Sequence, residues 1–426
     1  MTKSSQLSRR GFLAGGAKAA LAGVATPLVL PGRAFAEPAA NDRVNVGYIG
    51  VGRRARQLMG LPPGMEIVAI SDVNRARLEE LGPKLKCRTY DDYREMLACD
   101  DIDAVIVATP DHWHAKNSID AVRAGKDVYV EKPMTLTVAE GRAMVEAARK
   151  HERVVQVGSQ QRSMKECRLG CELVRNGRIG KVHTVHGSNF PSPWECDLPE
   201  QPVPDGLNWD MWCGQTEPRG YHEELYLPRV RGQEAGWISF RPYSGGEMTG
   251  WGAHGLDIIQ WALGYEESGP VEVWPELDKA PADDGVHKGP RCEVCFRYDN
   301  GVVVKLDGKG SGGGGLFEGD DGEVWIARGE CKTKPAEIAQ KPFKPSDVRL
   351  YKSDHHMRNW LECIHSRKRP VADVEIGHRT TTMCHLGNIA RWAERPLRWD
   401  PKTEQFVDDA EANGYLQRPM REPWTL

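Results

Sequence analysis

The chemistry-bearing part of this chain begins with the glycine turn Gly50-Val51-Gly52-Arg53-Arg54-Ala55, which follows the apolar run Val44 to Ile49 and opens a helical stretch. Gly50 permits a tight turn, Gly52 lets backbone approach a pyrophosphate, and Ala55 keeps helix and strand close. Arg53 and Arg54, inside the turn, belong to the same cofactor-binding set. Asp72 ends the next apolar run, 20 residues after Gly52, where a carboxylate accepts both ribose hydroxyls of an adenosine. Its charge repels a 2′-phosphate, so NAD is expected over NADP, although neighbouring Arg75 points the other way. Two more segments, Ala108-Thr109-Pro110-Asp111-His112-Trp113-His114 and Val130-Glu131-Lys132-Pro133, each follow a short apolar run. If those runs are parallel strands, both segments lie on the sheet edge where ligands bind.

The elements that must hold these residues alternate in type. Val44 to Ile49, Glu66 to Ser71, Ala104 to Ala108, Asp127 to Val130 and Val154 to Val157 read as strands. Asn117 to Ala124 and Val138 to Lys150 carry helical spacing between them. That is the pattern of an α/β, doubly wound Rossmann domain, assigned to residues 37–160. After Ser163 come a helix at Lys165 to Asn176 and strand-like runs at Val182 to Asn189, Val271 to Trp274, Cys292 to Arg297, Val302 to Leu306 and Glu323 to Arg328. Residues 161–426 are therefore expected to form a C-terminal α+β domain with a mostly antiparallel open sheet and a late helix near 377–394. The irregular stretch Phe190 to Ser244, rich in Pro, Gly and Trp, is long enough to predict a functional excursion. The glycine run Gly308 to Gly315 reads as turn chemistry between strands, with a phosphate cradle as the lesser alternative.

Composition sets further bounds. Ser8-Arg9-Arg10-Gly11-Phe12-Leu13, an apolar stretch and Ala34-Phe35-Ala36 read as a twin-arginine signal peptide over residues 1–36. This predicts passage through the twin-arginine export machinery to the periplasm, folded and with cofactor aboard. A membrane anchor is disfavoured, because the uncharged run from Ala19 is shorter than the ~20 residues a bilayer needs. The leader holds five Lys or Arg and no acid, so its removal leaves a chain more acidic than the formal −3 of the whole. That balance argues against nucleic acid or an anionic membrane surface as a partner. The 11 cysteines do not form a small disulfide framework. Cys292 and Cys295, and likewise Cys167 and Cys171, are read as buried thiols, and no metal site is expected.

In combination the Thr109-Pro110 and Glu131-Lys132-Pro133 segments resemble the Gfo/Idh/MocA family of oxidoreductases, the group of glucose-fructose oxidoreductase and inositol dehydrogenase. The resemblance spans essentially the whole chain after the leader. It implies that Lys132 stands beside a nicotinamide, that Thr109, Pro110, His114 and Glu131 line the cofactor, and that Trp113 and His112 border it. It also implies a substrate site with paired glycines, an aspartate and a histidine four residues later. Here Ser244 to Asp257 reads Ser-Gly-Gly-Glu-Met-Thr-Gly-Trp-Gly-Ala-His-Gly-Leu-Asp, so His254 is present while Gly250 stands at the aspartate position.

His254 is the candidate to take a substrate hydroxyl proton, since its ordinary pKa near ~6.5 suits proton exchange at neutral pH. Lys132 would stabilise the developing alkoxide or act as the base. Asp257 is assigned to the catalytic group as orienter of His254 or binder of a hydroxyl, with capping of neighbouring backbone an equal alternative; Glu247 is a weaker substitute for the missing acid. Arg162, Trp251 and the Asn208 to Trp212 loop are placed at the substrate. Six of 13 tryptophans, at 194, 209, 212, 237, 251 and 261, fall in this region, and flat aromatic faces beside polar groups suit a sugar or cyclitol.

The expected activity is thus NAD(P)-dependent oxidation or reduction of a sugar, sugar derivative or cyclitol with tightly held nicotinamide. The alternatives are a redox-neutral NAD-dependent glycosidase or epimerase, and a non-catalytic sugar-binding protein motivated by Gly250. An open-faced sheet in this family implies a homo-oligomer.

Overall fold

The protein is described by a computed structural model over residues 43–227, 236–279 and 288–426. The twin-arginine segment and its cleavage site lie outside the described residues. The first sheet contains β1 (Val44–Ile49), β2 (Met65–Ser71), β3 (Arg88–Tyr90), β4 (Ala104–Val107), β5 (Asp127–Val130) and β6 (Val155–Val157). Their order is β3-β2-β1-β4-β5-β6, and every pair is parallel. The chain reverses direction of winding between β1 and β4, which opens a crevice at the carboxyl ends of those strands. β4 and β5 are buried at every position, as expected of strands covered on both faces. The short strand β3 is mostly exposed and polar, and its sequence carries no apolar run to announce it.

The second sheet has nine strands: β7 (Val182–His186), β8 (Glu272–Glu276), β9 (Glu293–Arg297), β10 (Val303–Leu306), β11 (Gly315–Gly319), β12 (Gly322–Ala327), β13 (Glu330–Lys334), β14 (Leu397–Asp400) and β15 (Gln405–Phe406). They run in the order β13-β12-β11-β7-β10-β9-β8-β14-β15, antiparallel except for the β7–β10 pair. One face of this sheet buries Val185, Val294, Phe296, Val304, Phe317, Val324 and Ile326 against the helices Lys165–Arg175, Gly252–Leu263 and Val374–Ala393. Cys167 and Cys171 are free thiols within that core, while Cys292 and Cys295 are buried free thiols outside it, Cys295 against Glu276 at 3.8 Å. The glycine run is packing chemistry: a Cβ on Gly314 would fall 2.2 Å from the Ile326 carbonyl oxygen. Backbone approaches backbone there without room for a phosphate cradle.

The two sheets belong to one packed unit. Helix Val374–Ala393 lies along helix Val138–Lys150, and Arg142 of the latter donates to Glu375 at 2.9 Å and to Glu404 at 2.6 Å. The described residues between Phe190 and Ser244 form a small core of their own with Leu207, Trp212, Tyr221, Leu225, Tyr226, Phe240 and Tyr243. That core rests on the carboxyl edge of the first sheet, where Val73 packs against it. Among the described residues, no helix is long and apolar enough to cross a membrane.

Candidate active site

A single cavity of about 470 Å³ runs along the carboxyl edge of the first sheet and ends against the second. Its first part is made by β1, β2 and the loops they feed. Gly50 turns with φ +80°, and a Cβ there would press to 2.9 Å from Thr109, so glycine keeps the floor open. Asp72, 6% exposed, accepts from the Val51 N–H at 2.8 Å and from the Asn74 N–H at 2.9 Å. Arg77 completes its surroundings at 3.3 Å, whereas Arg75 turns away to Asp91 at 3.6 Å. The sequence reading took Arg75 as the basic neighbour of Asp72; the helical turn beginning at Arg75 brings Arg77 there instead.

At the end of β5, Glu131 holds Arg54 in an ion pair of 2.8 Å and accepts from Gln160 at 3.2 Å. His114 sits with one ring nitrogen 2.7 Å from the Pro133 carbonyl and the other 2.9 Å from that of Thr109, clasping the β4 and β5 loops together. Burial lowers its pKa, so the neutral ring donates to one of the two. Trp113 lines the cavity but is anchored elsewhere: its Nε1 donates to the Trp212 carbonyl at 2.9 Å and Trp424 meets its edge at 5.1 Å. His112 lies in the wall behind it, also against the Trp212 carbonyl, and burial lowers its pKa to about 3.

The second part of the cavity forms where helices Glu247–Gly250 and Gly252–Leu263 meet at Trp251. The Lys132 Nζ donates to the Gly250 carbonyl at 2.9 Å, tying the β5 loop to this junction. His254 opens on the cavity, 5% exposed, with the half-exposed Trp251 ring 5.7 Å away. Burial, with the positive charges of Lys132, Arg328 and Arg54, holds the imidazole well below its ordinary pKa. It is neutral at neutral pH and a weaker base than the ordinary imidazole expected from the sequence, so it takes a proton only as negative charge develops beside it.

Thr109, Pro110, Arg53 and Glu131 also line the cavity with Gly50 and Gly52. Several predicted residues do not line it: His112 lies behind the wall, and Asn208, Trp209, Asp210, Arg162 and Asp257 are also outside its lining. Asp257 and Arg162 face each other inside the protein, the Arg162 Nε donating to both carboxylate oxygens at 2.9 and 2.8 Å. Glu266 at 2.6 Å from Arg162 and Thr380 at 3.0 Å from Asp257 close the group, and Trp261 lies 4.8 Å beneath the guanidinium. Asp257 therefore neither orients His254 nor binds a hydroxyl, and Arg162 borders no substrate. Residues 254 and 257 are three apart, but the helix wall places the second against the core.

Of the six tryptophans, Trp212, Trp237 and Trp251 line the cavity. Trp209 stacks on Trp212 at 4.4 Å, Trp194 packs on Phe240 at 5.9 Å, and Trp261 is buried. The sequence reading passed over Asp111, Arg328 and Tyr226, all of which line the cavity, while Met211 lines it from the Asn208 to Trp212 loop expected there. Asp111 is the most consequential: it is 2% exposed, accepts from the Ser244 hydroxyl at 2.6 Å, and burial pushes its carboxyl up to about 7. Its signal was visible, an acid inside the segment after β4, but nothing local distinguished it from a helix cap.

A parallel sheet with a glycine turn, a buried acid after β2 and a lysine facing a second sheet domain defines a nucleotide-dependent oxidoreductase of two-sheet architecture. Profile comparison agrees over nearly all of the described chain. Residues 44–159 match the oxidoreductase family's NAD-binding Rossmann fold and residues 158–426 its C-terminal alpha/beta domain. The chain belongs to the Gfo/Idh/MocA oxidoreductase family.

Among its relatives, inositol 2-dehydrogenase of Salmonella paratyphi B is 28% identical over 171 residues, 38% of this chain and 50% of that protein. A glycosyl hydrolase family 109 protein of Shewanella baltica is 35% identical over 160 residues, 34% of each. The matched segments thus span half or less of these relatives. The aldose-aldose oxidoreductase of Caulobacter crescentus, solved with glycerol, shares the fold with a TM-score of 0.59 at 18% identity, covering 84% of this chain and 99% of that one.

Proposed function

We propose that this protein is an exported oxidoreductase acting on a sugar, sugar derivative or cyclitol with a tightly held nicotinamide dinucleotide, NAD in preference to NADP. The observation that carries this reading is the continuity of one cavity from Asp72, past the Gly50 turn and Lys132, to His254. The open floor at Gly50 and the buried Asp72 carboxylate suit an adenosine and pyrophosphate, and Thr109, Pro110 and Glu131 suit the remainder of the dinucleotide. A bound nicotinamide supplies a two-electron acceptor or donor for the substrate carbon that bears the reacting hydroxyl. His254 takes the hydroxyl proton on a ring nitrogen, and the Lys132 Nζ stabilises the oxygen as charge develops on it. Trp237 and Trp251 offer flat faces to a sugar ring and exclude water from it.

Retention of the cofactor is supported by the excursion between the sheets. Asn208 N–H donates to the Val73 carbonyl and Arg75 N–H to the Gly206 carbonyl, each at 2.9 Å. Asn74 donates to the Tyr226 hydroxyl at 2.8 Å, and Arg77 lies 5.2 Å over the Tyr226 ring. These contacts strap the loop beyond Asp72 under a segment over a hundred residues later in the chain. Arg9 and Arg10 support export, which favours an enzyme that regenerates its cofactor in place.

A second reading, redox-neutral cleavage or epimerisation through transient oxidation, is favoured by the 35% identity to the glycosyl hydrolase family 109 protein. One experiment separates them: the purified protein is mixed with aldoses, cyclitols and aryl glycosides while the reduced-nicotinamide absorbance and leaving-group release are followed. A lasting redox change is expected for the oxidoreductase, and leaving-group release without net change selects the glycosidase. Cofactor-bearing protein that answers to no member of the set in either readout sinks both.

A further inference from the structure

The wall of the cavity opposite the Gly50 turn carries a carboxylate with no work to do in the fold. Glu247 begins the short helix Glu247–Gly250 and lines the cavity with His254 and Lys132. Its Oε2 is buried and has no hydrogen-bond partner among the described residues. A buried carboxylate oxygen left without a donor costs free energy that a donor from a ligand in the cavity would recover. The oxygen lies over Gly250: a Cβ on Gly250 would come within 3.1 Å of it. The Gly250 carbonyl on the same turn receives the Lys132 Nζ at 2.9 Å. Asp111, on the other side, already has the Ser244 hydroxyl at 2.6 Å.

We propose that Glu247 is the substrate-binding acid of this site, its Oε2 accepting a hydroxyl of the bound sugar or cyclitol beside Lys132. The assignment rests on the sugar-oxidoreductase reading above and names the group that selects a hydroxyl over a hydrogen or ether at that position. Gly250 and Glu247 are neighbours in this wall: a Cβ on Gly250 would meet Ile238 Cδ1 at 2.9 Å and the carboxylate at 3.1 Å, so the bare glycine leaves room for both. An acceptor in a closed site discriminates strongly against ligands lacking the donor, because it is otherwise left unpaired. The charged or titratable groups that share this part of the cavity include Asp111 after β4, whose carboxyl feels the Glu247 charge, Glu131 and Lys132 after β5, His254 on the following helix, Arg54 on helix Arg53–Leu58 and Arg328 after β12.

The test uses full-length protein and a panel of glucose, galactose, glucuronate, myo-inositol and their deoxy analogues, read by nicotinamide absorbance. On the sugar that wild type turns over, E247Q is expected to lower kcat/KM about 10- to 100-fold. E247A should lose most of the preference for that sugar over the analogue lacking the hydroxyl. E247D, which keeps the acid on the same turn with a shorter reach, should recover at least tenfold over E247A. NADH affinity, measured by fluorescence, should stay within threefold in all variants. E247Q and E247A variants with wild-type kcat/KM and wild-type preference over the deoxy analogue overturn the assignment and leave the oxidoreductase reading standing. Wild type that holds nicotinamide and turns over nothing in the panel removes that reading and the assignment with it.

Discussion

Two polar clusters flank the helix Gly252–Leu263, and their contrast shows what distinguishes a working site from a structural one. On the core side, Arg162, Asp257, Glu266 and Thr380 satisfy one another at 2.6 to 3.0 Å. Burial raises the Asp257 pKa against the pull of Arg162, and the carboxylates hold Arg162 charged despite its burial. On the cavity side, Lys132 has a single carbonyl partner, Glu247 keeps an oxygen unpartnered, and His254 makes no side-chain hydrogen bond among the described residues. The closed cluster spends its polarity on itself, whereas the open one holds it available for a ligand. Residue type does not tell them apart, since each contains an acid and a base.

The contrast breaks most sharply at Lys132. Lys132→Ala should cut turnover at least ~10³-fold by removing stabilisation of the developing charge, while urea unfolding shifts by less than about 1 kcal/mol. Turnover retained within tenfold would place the charge-stabilising group elsewhere. At the closed cluster the expected signs reverse. Arg162→Met strands Asp257 in the core and should cost about 3–5 kcal/mol of stability, with NADH affinity unchanged. Pairing it with Asp257→Leu should return most of that loss, because both charges then leave together. If R162M is as stable as wild type but inactive, Arg162 belongs with the substrate site after all.

A smaller effect separates wall from cavity by pH. Burial lowers His112 to about 3 and His356 and His385 to about 4, from 6.5 in the unfolded chain. As pH falls below 6.5 the unfolded state binds protons that the folded state refuses, so stability is lost between about pH 6.5 and 4. Asp111, raised to about 7 from 3.8, works in the opposite sense over part of that window, since its folded carboxyl holds a proton the unfolded one releases. Three histidines outweigh one carboxyl, and a net fall of several kcal/mol is expected in the urea midpoint measured across this range. Stability that is flat or rises on acidification would show these imidazoles to be accessible to protons in the fold.

The cofactor end of the cavity was legible because its signals are local. A glycine turn after an apolar strand, an acid closing the next strand and a lysine closing the fifth lie within short windows whose geometry the strand imposes. The strands that went unread explain themselves similarly. β3 and β13 are polar edge strands, β13 with Lys332 and Lys334 along it, and β11 begins inside the glycine run. Hydrophobic periodicity has nothing to register there.

By itself the sequence placed ten of the fifteen strands among the described residues and pointed to the glycine turn, Asp72, Lys132 and His254, all of which line one cavity, since each signal lies within one or two neighbouring elements. Only the tertiary structure decided which polar residues remain open. It drew Asp257 and Arg162 into a mutual ion pair, put Arg77 in place of Arg75 beside Asp72, and left Glu247 facing the cavity over Gly250. The physical reason is that hydrogen-bond satisfaction is a property of partners brought from distant segments: Arg162 meets Asp257 across 95 positions, and Lys132 meets Gly250 across 118. No window of sequence contains both halves of such a contact.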